Sequence, residues 1–299
     1  MRFRIPALAL AMLLAASAAT VADTLRGDAP AYSQRALSDV PNAPAIDRRF
    51  WAPGLNERFI PQGVTVADDV LLVSAYLSAD AKAGSGPTRI WAIDPESGSI
   101  RGQFDLPAGF THAGGIAYAG NGRLYVADTR LVGRFDLGSA LETGDGAAAM
   151  DGSWPLAAPL RGSFMSYRDG TLWIGSWNPD AEGRMWAIPE TVLPPDGEAL
   201  TEAMAAKSFA IPSRGQGAGF DPAGNLWISR SSSRIGELLK IDPADGKVLA
   251  TFQTAIGVED LGFDRQGRMW TLSEAGSQRW QRWETHYPLV YRLDPAKLK

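Results

Sequence analysis

Apolar and polar residues alternate along this chain in short runs, and the runs recur in one order about every fifty residues. The clearest run is VLLVS, RLYVA, TLWIG, NLWIS and RMWTL, each with a large residue at its centre: Leu72, Tyr125, Trp173, Trp227 and Trp270. Before each lies a bend, Asp68-Asp69, Asn121-Gly122, Asp169-Gly170, Ala223-Gly224 or Gln266-Gly267. Before each bend lies another strand, opening at Gln62-Gly63-Val64, Gly114-Gly115-Ile116, Met165-Ser166-Tyr167, Ala218-Gly219-Phe220 and Leu261-Gly262-Phe263. A third strand ends in an apolar-Asp pattern at RIWAIDP, VGRFDL, LLKIDP and VYRLDP, and copy three departs from it with MWAIP. Where the turn Asp-Pro-x-x-Gly follows, at 94–98 and 242–246, it leads into a fourth strand, IRGQFDL or VLATFQT. Proline presets φ for a turn and glycine accepts a positive φ, so these segments reverse the chain for a stated reason.

Four strands per repeat of this length predict an all-β fold, a single β-propeller with four-stranded blades. The fifth copy has only Ala296 to Lys299 after its third strand, too few residues for a fourth. Arg48 to Leu55, ahead of the first copy, resembles the fourth strand of copy one and its exit loop. An N-terminal strand completing the last blade would close the ring and remove a free sheet edge. Five blades follow, or six if residues 138–160 or 189–213 hold another.

The termini divide the chain further. Arg2 and Arg4, an apolar run from Ile5 to Leu14 and small residues from Ala15 to Ala22 predict a signal peptide over 1–22 and a periplasmic or secreted protein. Residues 23–46, rich in Ala, Pro, Ser and Asp, read as an extended leader, and 47–299 as the propeller. With no cysteine there is no disulfide, no thiolate chemistry and no lipid anchor. Loss of Arg2 and Arg4 takes the formal charge from -4 to -6, which argues against nucleic acid as a partner. A monomer that takes a small-molecule ligand, with no membrane anchor in its mature form, is expected.

In a propeller the links from outer strand to next inner strand, and from second to third strand, emerge on one face, and ligands are sought there. Copies one and five have the long second-to-third links, Tyr76 to Thr88 and Ser273 to Pro288, and in a closed ring these overhang one side of the mouth. Tyr76 and Gln62 lie on copy one, and the loop of copy five carries Trp280 and Trp283, residue types favoured in binding sites. His112 sits at a mouth position, where a general base is reasonable. Glu259 and Asp260 are adjacent acids on copy five, with Glu274 one strand on. Two converging carboxyls would leave a neutral acid beside a carboxylate, or bind a divalent cation such as calcium; adjacent strand residues point to opposite faces, so one alone can reach the channel. Arg214, Gln216 and Arg230 on copy four are further ligand-binding candidates, the two arginines to neutralise these acids or hold an anionic group. Gly-x-Ser-x-Gly on a strand-turn-helix, His-Glu-x-x-His and zinc spacing are absent from the sequence.

The inner-strand openings and Asp-Pro-x-x-Gly turns over residues 58–295 resemble those of extracytoplasmic propellers of the gluconolactonase/regucalcin and NHL-repeat groups, which implies a hydrolase or lactonase. Calcium-dependent lactonases of that kind place a glutamate in the first inner strand, where this chain has Gln62. Pro61-Gln62-Gly63-Val64 is also similar to the first-repeat opening of plant-type glutaminyl cyclases, and Glu259-Asp260-Leu261 is similar to their Asn-Glu-Leu segment. Their second repeat carries an acid where this chain has Gly114. That resemblance implies acyl transfer through Asp260; a hydrolase would use Glu259 or Asp260 with His112; a protein-interaction platform would use none of them.

Overall fold

A computed structural model describes residues 25–80 and 82–299, so the segment read as a signal peptide lies outside the described residues. The chain passes through β1 (Ile46–Trp51) and then builds its blades in order. Blade one is β2 (Phe59–Ala67), β3 (Val70–Leu77), β4 (Thr88–Ile93) and β5 (Ile100–Asp105). Blade two is β6 (Gly115–Tyr118), β7 (Arg123–Asp128), β8 (Leu131–Asp136) and β9 (Met150–Pro155). Blade three is β10 (Phe164–Arg168), β11 (Thr171–Gly175), β12 (Gly183–Pro189) and β13 (Lys207–Ile211). Blade four is β14 (Gly215–Phe220), β15 (Leu226–Ser231), β16 (Gly236–Ile241) and β17 (Val248–Gln253). Blade five is β18 (Val258–Phe263), β19 (Met269–Ser273) and β20 (Leu289–Leu293), with β1 as its outer strand.

The protein is therefore a five-bladed propeller closed by its N-terminal strand. Phe50 lies opposite Val290 and Trp51 opposite Leu289 in the antiparallel pair that seals the ring. Neither insertion hides a sixth blade. Residues 138–160 hold α1 (Leu137–Thr143), the short α2 (Gly146–Ala149) and β9, while 189–213 hold two 3-10 turns and β13. Asp136 and Asp145 cap the two helices by accepting the N–H groups of Ser139 and Ala147, which explains why the chain leaves the strand pattern there.

The expected bends are made by left-handed residues: Asp68, Asn121 and Asp169 have φ of 52°, 52° and 48°, and Gly224 and Gly267 have φ of 89° and 76°. The core is divided among the interfaces between neighbouring blades rather than gathered at one centre. At the seam Phe50, Val64, Trp91 and Trp270 pack together much as Leu72, Phe104, Ile116 and Phe135 do between blades one and two. The inner strands approach so closely that a Cβ on Gly217 would lie 2.3 Å from Asp260 Cα.

Three inner strands carry a bulge at the same height. The register skips Gln62 between Pro61 and Gly63 and Gln216 between Gly215 and Gly217, and between Val258 and Leu261 it sets Glu259 and Asp260 against the single Leu272. A bulge adds a residue to one strand and re-aims its side chain. Among the described residues no helix is long and apolar enough to cross a membrane.

Candidate functional site

A cavity of about 820 Å³ opens at the centre of one face of the ring. Both expected loop sets line it: His112, Ser163 and Arg214 come from the links between blades, and Thr129, Trp177 and Trp280 from the links between second and third strands. The long loops of blades one and five meet at its edge. Arg279 of loop five lies over Gly84 of loop one, where an added Cβ would be 2.9 Å from its Nη2, and its Nη1 donates to Tyr76 Oη at 2.5 Å.

The floor on this side is built from the bulged residues. Gln62 Nε2 donates to Glu274 Oε2 at 3.3 Å, and Gln216 Nε2 donates to Glu259 Oε1 at 3.2 Å. Trp280 Nε1 donates to Glu274 Oε2 at 2.5 Å. The Glu259 and Glu274 carboxyl groups come together in the buried floor, where like charges repel and the pair is held more cheaply with a proton than with two charges. Burial, then the neighbouring Glu274 charge, holds Glu259 well above the usual carboxylate range. Burial likewise pushes Glu274 up to about 7, against the opposing pull of Trp280, Arg279 and Gln62. The pair titrates as a unit and keeps a proton near neutral pH. Of the three acids from which a converging pair was expected, the two that come together are thus Glu259 and Glu274.

Asp260 points the other way, as strand alternation allows. Its Oδ2 accepts the Val64 N–H at 3.2 Å, and its Oδ1 accepts those of Ala218 at 3.2 Å and Leu261 at 2.9 Å. These donors belong to the inner strands of blades one, four and five. Burial raises its pKa, and the converging backbone N–H groups, which favour the charged form, oppose the rise. Fully buried and saturated with backbone donors, Asp260 ties blades together around the channel and does not line the cavity. The expectation that it acts on a substrate together with Glu259 and His112 has no geometric support.

His112 lies on the wall, stacked on Tyr76 with ring centroids 4.6 Å apart. Its Nδ1 donates to the Gly84 carbonyl at 2.5 Å, which leaves Nε2 as the acceptor. Burial depresses its pKa, so the ring is neutral at pH 7. Asp128 fixes the loop by accepting the N–H groups of Thr111 and His112, both at 2.6 Å. Tyr76 keeps its proton, with burial and then the Glu274 charge raising its pKa.

Trp280 and Trp283 face each other at 4.7 Å, with the Arg279 guanidinium 4.3 Å above the Trp280 ring. Both indoles line the cavity and both are partly buried, so they form wall and plug at once. The two copy-four arginines do not neutralise the blade-five acids. Arg214 reaches the rim and pairs with Asp180 at 3.4 Å, and Arg230 pairs with Glu237 at 2.8 Å while donating to Ser213 O at 2.7 Å. Among the described residues no three His, Cys, Asp or Glu side chains group as a metal site. Glu259 and Asp260, the residues proposed for a cation, diverge.

Sequence reasoning passed over Asp128 and took Arg279 only as one of the Trp and Arg residues of loop five. Arg279 was visible beside Trp280 as a cation next to an aromatic, but its partner Tyr76 is two hundred residues away. Asp128 ends β7 immediately before a tight link, a common place for an acid to bind backbone, and nothing local showed that it would hold His112.

No protein-family model matches the chain, and no curated protein does. Solved structures do. A glutaminyl cyclase from Myxococcus xanthus superposes with a TM-score of 0.56, at 12% identity, over 83% of this chain and 94% of its own. An aldose sugar dehydrogenase from Streptomyces coelicolor, bound to PQQ, gives 0.45 at 16% identity over 71% and 74%. A luciferin-regenerating enzyme gives 0.45 at 12% identity over 83% and 96%. The likeness to the Myxococcus enzyme is one of fold alone, and at that level the resemblance drawn from the repeat holds.

Proposed function

We propose that this protein binds a small polar molecule in the mouth cavity and that Glu259 and Glu274 move a proton to and from it. The observation that carries the reading is the pair of buried carboxyls at the cavity floor, Glu259 held by Gln216 and Glu274 by Gln62. A hydrolysis or acyl transfer needs a base to take a proton from the nucleophile and an acid to give one to the leaving atom. Two coupled carboxyls holding one proton serve both steps and return to their starting state. The Gln62 and Trp280 donors hold Glu274 in place, Gln216 holds Glu259, and the indole wall excludes water from the reacting group.

Two substrate classes fit, a lactone or ester and the side-chain amide of an N-terminal glutamine. The second is favoured by the fold shared with the Myxococcus glutaminyl cyclase and by Gln62 at the mouth, while Gly114 leaves its second-repeat acid unfilled. The Arg2–Ala22 segment supports export of the protein from the cytoplasm.

A thermal-shift screen of esters, lactones and glutaminyl peptides, followed by turnover of the binders, tests the reading. Glu259→Gln and Glu274→Gln should each lower turnover by about 100-fold or more with binding retained. Unchanged turnover in both variants would overturn the acid–base role, and a screen in which only proteins bind would make this a platform without chemistry.

A further inference from the structure

The leader lies outside the cavity, yet it is bonded to the loop that walls one side of it. Tyr32 Oη donates to the Gly276 carbonyl at 2.9 Å, near the start of loop five. Ser38 holds the end of the loop twice: its N–H donates to His286 O at 3.0 Å, and its Oγ accepts the His286 N–H at 2.9 Å. Between these points the Arg35 guanidinium donates through Nη1 to the carbonyls of Gln281 at 2.9 Å and Trp283 at 2.8 Å, and through Nη2 to that of Glu284.

The loop needs such a partner. It runs as successive turns, with Trp280 N–H on Ser277 O at 2.9 Å and Trp283 N–H on Trp280 O at 3.0 Å, and a chain of turns leaves its last carbonyls without donors of its own. A guanidinium is a rigid fork of N–H groups and can serve three convergent carbonyls where an ammonium is a point charge.

We infer that Arg35 is a positioning residue: by holding the carbonyls of Gln281, Trp283 and Glu284 it keeps the Trp280 ring against Trp283 with its indole N–H on Glu274. The inference rests on the proposed role of Glu274 only for its consequence in turnover.

The groups facing Glu274 decide what a loosened loop would do. Glu259 comes from β18 with Asp260 behind it, Gln62 from β2 and Tyr76 from β3, and Arg279 and Trp280 from loop five itself. Trp280 and Arg279 favour the ionised carboxylate, and both ride on the segment Arg35 clamps. Releasing the clamp therefore raises the proton affinity of Glu274.

The test is a carbon-13 titration of the glutamate side chains in the full chain, with the Glu274 signal identified by its loss in Glu274→Gln. Arg35→Ala should move the Glu274 midpoint upward by about one unit, the size expected for a lost hydrogen bond to a charged group. Trp280→Phe should produce a similar shift, and the double variant should shift by less than the sum of the two, because both act in part through the same indole. A midpoint that stays put in Arg35→Ala overturns the inference, whether or not thermal stability falls, because the leader would then act only as a structural strap. Shifts that add in the double variant overturn it too. The titration uses no substrate, so its failure is separate from a failure of the acid–base reading.

Discussion

Glu274→Gln should make the protein more stable at alkaline pH while removing the acid–base pair. Gln keeps the shape of a protonated glutamate: its oxygen can accept from Trp280 and Gln62, and its amide can donate to Glu259 in place of the shared proton. The native state holds the Glu274 proton up to about 7, against a reference value of 4.5. A folded pKa above the unfolded one means that the native state binds more protons between these limits. Stability is therefore undiminished below about pH 4.5, falls as pH rises through the window, and is lower by about 3 kcal/mol above it, at 1.36 kcal/mol per unit. Because the proton is shared with Glu259, the recoverable part is about 1–3 kcal/mol, or a few degrees in melting temperature for a chain of this size. Melting curves of wild type and variant at pH 4.5 and pH 8.5 are the assay. The gain should appear at pH 8.5 and vanish at pH 4.5. A variant that loses stability equally at both pH values would refute the protonated pair and make Glu274 an ordinary charged acceptor.

Asp260→Asn should cost about 3 kcal/mol or more, read as a lower urea midpoint, because an amide has one acceptor oxygen and would turn an NH₂ against backbone N–H groups; a midpoint like that of wild type would show that Asp260 does not tie the blades. Gly217→Ala should lose about 2–3 kcal/mol, since its Cβ would meet Asp260 Cα at 2.3 Å, and a melt within a degree of wild type would mean that the inner strands can part. Millimolar calcium should leave the melting temperature unchanged, because Glu259 and Asp260 face apart and no third ligand joins either among the described residues; a rise of several degrees would reveal a tight site.

The blade count was legible because the turns dictate it. Asp68, Asn121, Asp169, Gly224 and Gly267 each occupy a left-handed bend that few other residues tolerate, so the hairpins announce themselves locally. The outer strands of blades two and three were not legible. MDGSWP and KSFAI follow insertions rather than the Asp-Pro-x-x-Gly turn, and an outer strand with one exposed face needs little apolar pattern. The split between Glu259 and Asp260 could be read from strand alternation, which left Glu274 as a candidate partner for Glu259 without showing how the two would meet. Glu274 follows β19, and only the bulges at Gln62, Gln216 and Glu259 bring the floor of the cavity together. A bulge is one unpaired residue, visible in the sequence as no more than a glutamine before a glycine. The leader looked extended and polar for the same kind of reason: its bonds go to loop five, almost the whole chain away.

The strand that seals the ring also orders events in time. β1 emerges before every other strand of the ring from a chain made from its N-terminus, and its partner β20 emerges after them all. Until then blade five lacks its outer strand, and both β1 and loop five wait with their hydrogen bonds unmade. Such a long-range pairing is slow, and its open edge is exposed to other chains while it waits. The leader contacts, made across the same seam, can form only after it shuts. The candidate site is therefore the last part of the molecule to be assembled, and a chain cut short within β20 would carry nearly complete blades and no working mouth.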